Sequence, residues 1–178
     1  MRILAVGAHP DDVELGCGGA LALFKKKGHD VSVLVLTRGE ASGDPAVREN
    51  ECKVAAATIG VDRLFFGNLV DTRITDGIDT IKTIEDTIDG VAPDFVFTHS
   101  PKDSHEDDGN THLASISAAR HVSRVLLYES AAALKDFSPQ AFIDISSTIN
   151  LTSKSSASRK GFRRSPRSRA YPYRALGE

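Results

Sequence analysis

The chain has 178 residues, 40% apolar and 26% charged, with two cysteines and a formal net charge of −2. A single domain of this size buries roughly two-thirds of the surface its unfolded chain exposes, so it needs no disulfide framework. Cys17 and Cys52 form no C-x-x-C pair and read as buried thiols in a reducing, cytoplasmic compartment, and with no apolar run of about 18 residues no membrane partner is expected.

The first apolar run, Ile3–Ala8, reads as a strand, and Leu15–Lys27 follows as a helix stopped by Gly28. Val31–Thr37 is the second strand. Pro45–Ile59 is a helix with Asp44 as its cap, Pro45 at its first position and Gly60 at its end. Arg63–Gly67 is the third strand. Asp76–Asp89 is a helix with Ile78, Ile81, Ile84 and Ile88 at helical spacing. Asp94–Thr98, a helix over Asn110–Val122, and Val125–Glu129 complete the series, with a weaker run at Ala141–Ile145. The strands are near-continuous apolar stretches, which suits burial on both faces. Their alternation with helices predicts an α/β fold: a Rossmann-like open, mostly parallel sheet of order 3-2-1-4-5, with helices on both faces in three layers.

Residues 1–146 form the expected domain, and 147–178 a basic Ser/Arg-rich tail without helical or strand pattern. The charge is split accordingly. Residues 1–150 carry 14 Lys/Arg against 23 Asp/Glu, and residues 151–178 carry 8 against one. The tail reads as solvated and poorly ordered, and no nucleic-acid partner is expected.

Two clusters carry chemistry. Ala8-His9-Pro10-Asp11-Asp12 directly follows the first strand. Ligands of doubly wound sheets sit at the carboxyl ends of strands where strand order reverses, and the first strand borders that crevice. His9 and Asp12 are suitable ligands for zinc. Asp11 is left as an acceptor for a water proton. A simpler role for either acid is to cap the next helix. The second cluster runs from His99 to His112 and follows the fourth strand. In a 3-2-1-4-5 sheet strands one and four are neighbours, so both clusters face one crevice. Leu15-Gly16-Cys17-Gly18-Gly19 lacks the spacing of a dinucleotide fingerprint and reads as close helix–sheet packing.

With Glu14 and Gly16, the first motif resembles the LmbE-like, or PIG-L, family of zinc-dependent N-acetylglucosaminyl deacetylases. Thr37-Arg38-Gly39-Glu40, Arg48-Glu49-Asn50-Glu51, Asp71-Thr72-Arg73 and Asp103–Asp108 follow in the family's order. The resemblance implies a hydrolase that removes the N-acetyl group from an N-acetylglucosamine-type amino sugar conjugate. It implies His9 and Asp12 as zinc ligands, Asp11 as general base, and His105 as the group that stabilises the tetrahedral intermediate and protonates the leaving amine. Arg48, Asp71 and Arg73 fall at substrate contacts. The third zinc ligand of the family is the last residue of His-x-Asp-His, and here it is Asp108. One imidazole and two carboxylates form a harder, more anionic set, which favours Mn²⁺, Co²⁺ or another divalent cation beside Zn²⁺. His105 or His112 are alternative third ligands. A non-catalytic metal- or sugar-binding member of the same fold is the alternative function. A homo-oligomer is compatible with the sequence.

Overall fold

Strand β1 (Arg2–Gly7) alternates between two apolar layers. Ile3 and Ala5 pack with Val31, Val33, Val35 and Phe97 beneath Leu21, Cys52 and Ile59, while Leu4 and Val6 pack with Leu34 and Val96 beneath Ile84, Val91 and Ala114. A strand with both faces covered is the signature of a parallel sheet between helical layers. The computed structural model describes residues 1–151. Most of the basic tail expected over 147–178 therefore lies outside the described residues.

The other strands are β2 (Asp30–Val35), β3 (Arg63–Phe66), β4 (Phe95–His99) and β5 (Val125–Tyr128). Their order is β3-β2-β1-β4-β5, and all four neighbouring pairs are parallel. This is the expected topology. It reverses direction between β1 and β4, where Leu4 pairs with Val96. Ala141–Ile145 adds no strand: Ile145 packs against Gly19, and Phe142 is 78% exposed. Thr148 is buried and donates to the Gly19 carbonyl at 2.9 Å, so the chain stays docked on the domain past residue 146.

The helices match their sequence signals, with three informative differences. The first expected helix is two. α1 (Asp12–Gly16) and α2 (Gly18–Lys26) break at Cys17, whose φ of −137° is not helical. Gly16 lies flat against the Tyr128 ring, where a side chain has no room, so the glycine run serves close packing. α3 (Pro45–Ile59) begins and ends as read: the Asp44 carboxylate accepts the N–H groups of Ala46 and Val47, and Gly60 takes the left-handed conformation at φ 90°. α4 (Ile78–Val91) starts two residues late, leaving Ile78 at its exposed first turn while Ile84 is fully buried. Truncating Ile84 to alanine would cost about 2–5 kcal/mol. α5 (Glu106–Ala118) starts four residues before Asn110. Its first turn holds Glu106, Asp107 and Asp108, where the positive end of the helix dipole favours acids. That earlier start decides the site.

Candidate active site

The turn from β1 into α1 is strained. Asp11 has φ 108° and ψ −22°, in the left-handed region that disfavours residues with a Cβ. Neither acid of the motif caps α1 by side chain. Asp11 stands at the N-cap without a side-chain capping bond, and the Asp12 carboxylate turns back to accept the His9 N–H at 2.7 Å. The Arg48 guanidinium reaches over from α3, donates to the Pro10 carbonyl at 2.8 Å and lies 3.8 Å from Asp11 Oδ1. It packs on Gly39, where a Cβ would stand only 2.5 Å from Arg48 Nε.

The His9 imidazole has two occupied edges. Nε2 lies 3.1 Å from both Asp71 Oδ1 and Asp107 Oδ2. Both carboxylates are anchored: Asp107 accepts the N–H groups of Thr72 and Ile74, and Asp71 accepts that of Ala41. Nδ1 lies 3.4 Å from Asp12 Oδ2 and 3.5 Å from Asp108 Oδ1. Ligand atoms about 2.1 Å from one tetrahedral zinc ion stand about 3.4 Å apart. Each of these two separations matches that spacing, although His9, Asp12 and Asp108 do not together form one of the mutually close donor sets among the described residues.

Electrostatics agree. Burial works against a proton on His9, but Asp108 and Asp12 beside the ring outweigh it and raise its pKa to about 11. Burial likewise opposes ionisation of Asp12, yet His99 and His9 hold its carboxyl far below the ordinary range. Burial pushes the Asp108 carboxyl up. Asp108 Oδ1 and His99 Nδ1 are buried and make no hydrogen bond among the described residues. A buried carboxylate oxygen without a donor is costly in the metal-free chain, and a divalent cation would supply the missing partner. The residues present thus fit such an ion.

Three sets of donors have ligand atoms within 4.8 Å of one another: His9, His105 and Asp108; His9, Asp71 and Asp107; and Asp12, His99 and Asp108. His105 stands at the N-cap position of α5 without a side-chain capping bond, is about half exposed and packs edge-on against His9, with ring centroids 4.8 Å apart. Its loop is tied to the one after β5 by Ser104, whose N–H donates to the Ala132 carbonyl, and by a bond from Ser130 to Asp103. His112 bonds the His99 carbonyl through Nδ1 and joins none of these sets.

Of the residues singled out from sequence, His9, Asp12, Asp108 and His105 converge, and Asp11 lies 3.8 Å from the Arg48 guanidinium. Asp71 is buried against His9, and Arg73 is exposed in the same loop. Two members of the cluster had no role in the sequence reading: Asp107, which holds His9, and His99, the last residue of β4. The position of His99 at a strand end beside the switch point was the available signal.

A Rossmann-like α/β fold with a buried His/Asp cluster at its switch point defines the class. The chain belongs to the PIG-L family, described as GlcNAc-PI de-N-acetylase, whose model matches residues 4–119. It is 35% identical over 147 residues to the uncharacterized deacetylase YaiS of Escherichia coli K12, covering 79% of this chain and 80% of that one. It is 28% identical over 141 residues to the 4-oxalmesaconate hydratase of Pseudomonas putida, covering 71% of this chain and 54% of that one. The crystal structure of the conserved protein TT1542 from Thermus thermophilus superposes with a TM-score of 0.83 at 27% identity, covering 90% and 80% of the two chains. No helix among the described residues is long and apolar enough to cross a membrane.

Proposed function

We propose that this chain is a cytoplasmic, divalent-metal-dependent hydrolase that removes the acetyl group from an N-acetylglucosamine-type amino sugar conjugate. The observation that carries this reading is Asp108 Oδ1: buried, without a hydrogen bond, and 3.5 Å from His9 Nδ1. His9, Asp12 and Asp108 would hold the ion, with Zn²⁺, Mn²⁺ and Co²⁺ as candidates for a set with two carboxylates. When bound there, such an ion would contribute Lewis acidity to amide hydrolysis.

The rest of the chemistry belongs to the side chains. Asp11 accepts the water proton at its carboxylate, and Arg48 holds the turn that presents it by bonding Pro10. His105, at the exposed rim, faces the developing oxyanion and returns a proton to the departing amine. Asp71 and Asp107 keep the His9 ring oriented, and Asp71 and Arg73 lie in the loop proposed to meet sugar hydroxyls.

The test is acetate release from a panel of N-acetylated amino sugars with added Zn²⁺, Mn²⁺ or Co²⁺. Turnover with any metal, lost in Asp11→Asn, supports the reading. Metal and sugar binding without turnover leaves a non-catalytic binder. The likeness to a hydratase adds a second reading, water addition to an unsaturated tricarboxylate. Loss of ultraviolet absorbance from such a substrate, with no acetate released from any sugar, would select it.

A further inference from the structure

Behind the carboxylates that face His9 stands a second imidazole. His99 ends β4 with 0% exposure and packs on the Tyr128 ring. Its Nε2 receives the backbone N–H of Ala8 at 3.2 Å and lies 3.2 Å from Asp12 Oδ2. Its Nδ1 lies 3.6 Å from Asp108 Oδ2, beyond hydrogen-bond reach, and has no hydrogen-bond partner among the described residues. The Tyr128 hydroxyl is engaged with the Val6 carbonyl, and His112 with the His99 carbonyl.

Nε2 meets both the Ala8 N–H and the Asp12 carboxylate at 3.2 Å; with Nε2 accepting from Ala8, the ring N–H is on Nδ1. That N–H then faces Asp108. The Asp108 carboxylate is divided between two tasks: Oδ1 faces His9 Nδ1 at 3.5 Å, and Oδ2 faces His99. We propose that His99 is a positioning residue of the cation site: the Ala8 N–H sets its tautomer, and its Nδ1–H holds Asp108 with Oδ1 turned toward the ion. This rests on the metal reading above. Closing the bond needs an approach of only about half an ångström. Partners of this kind, outside the ligand set, commonly change metal affinity about 10–100-fold.

Two isosteres separate the nitrogens. Asparagine places its amide near the Nδ1 position, and glutamine near Nε2. Zn²⁺ affinity, measured by competition with a chromophoric chelator, should fall about 10–100-fold in His99→Gln and stay within about threefold in His99→Asn. In an Asp108→Ala background His99→Gln should cause no further loss. Equal losses in the two variants, or a His99→Gln loss that persists without Asp108, overturn the role of His99 while Zn²⁺ binding that depends on His9 still supports the site. Absence of Zn²⁺ binding by the unsubstituted chain, or binding indifferent to His9→Ala, removes the site and this role together. Where a variant fails to fold, the unsubstituted protein decides. In ¹⁵N-correlated imidazole spectra, a proton on His99 Nδ1 that shifts when Zn²⁺ is added supports the role, and a proton on Nε2 overturns it.

Discussion

His9 Nε2 lies 3.1 Å from Asp107 Oδ2, and the same carboxylate accepts the backbone N–H groups of Thr72 and Ile74. One buried acid thus joins the turn after β1, the loop before α4 and the first turn of α5. With Nε2 held by Asp107, Nδ1 of His9 faces Asp12 and Asp108. Asp107→Ala should weaken Zn²⁺ binding about 10–100-fold by releasing the ring. It should also destabilise the metal-free chain by about 1–3 kcal/mol through the buried Ile74 N–H left unpaired. Chelator competition and denaturant unfolding check the two effects separately.

Asp11 couples strain to chemistry. Asp11→Asn tolerates the left-handed turn and retains shape, so it should keep Zn²⁺ affinity while lowering kcat about 10²–10⁴-fold. Asp11→Gly should also lose turnover, yet raise stability by about 1 kcal/mol because glycine adopts φ 108° without a Cβ clash. A melting temperature no higher than that of Asp11→Asn would count against strain at this residue.

The raised His9 pKa predicts how cation binding depends on pH. Without metal the ring retains its second proton from the ordinary 6.5 up to about 11. Binding through Nδ1 must expel a proton in that window, so Zn²⁺ affinity rises with pH, by up to about tenfold per unit. Calorimetry at pH ~7 in buffers of different ionisation enthalpy should show proton release on binding, lost in His9→Gln. The stability sign is opposite. The folded pKa of His9 lies above its unfolded value, so its contribution to the metal-free fold is complete below about 6.5 and disappears as pH climbs through about 11.

Two glycines should respond in opposite directions. A methyl at Gly16 would run into the Tyr128 ring, which is fixed by its hydroxyl bond to the Val6 carbonyl. Gly16→Ala should cost about 1–3 kcal/mol by overpacking. Gly90 lies within α4, and a Cβ there meets nothing within 4 Å. Gly90→Ala should therefore stabilise by about 0.5–1 kcal/mol. Thermal unfolding of the two variants gives both signs.

The strands, the helices and their order were legible in the sequence because their causes are local. Continuous apolar runs mark buried strands, and Asp44, Pro45 and Gly60 mark the limits of α3 within a few residues of chain. The motif from His9 to Asp12 was legible for the same reason, since its position at a strand end locates the crevice. What the sequence left open is the division of labour among the acids. Asp107 and Asp108 are adjacent in the chain, yet one grips His9 Nε2 and the other faces Nδ1. That depends on α5 starting at Glu106 rather than Asn110, and on β4 seating His99 behind both Asp12 and Asp108. These contacts join residues up to 98 positions apart. Only the packing of β1 against β4, and of α5 over them, determines which oxygen meets which nitrogen.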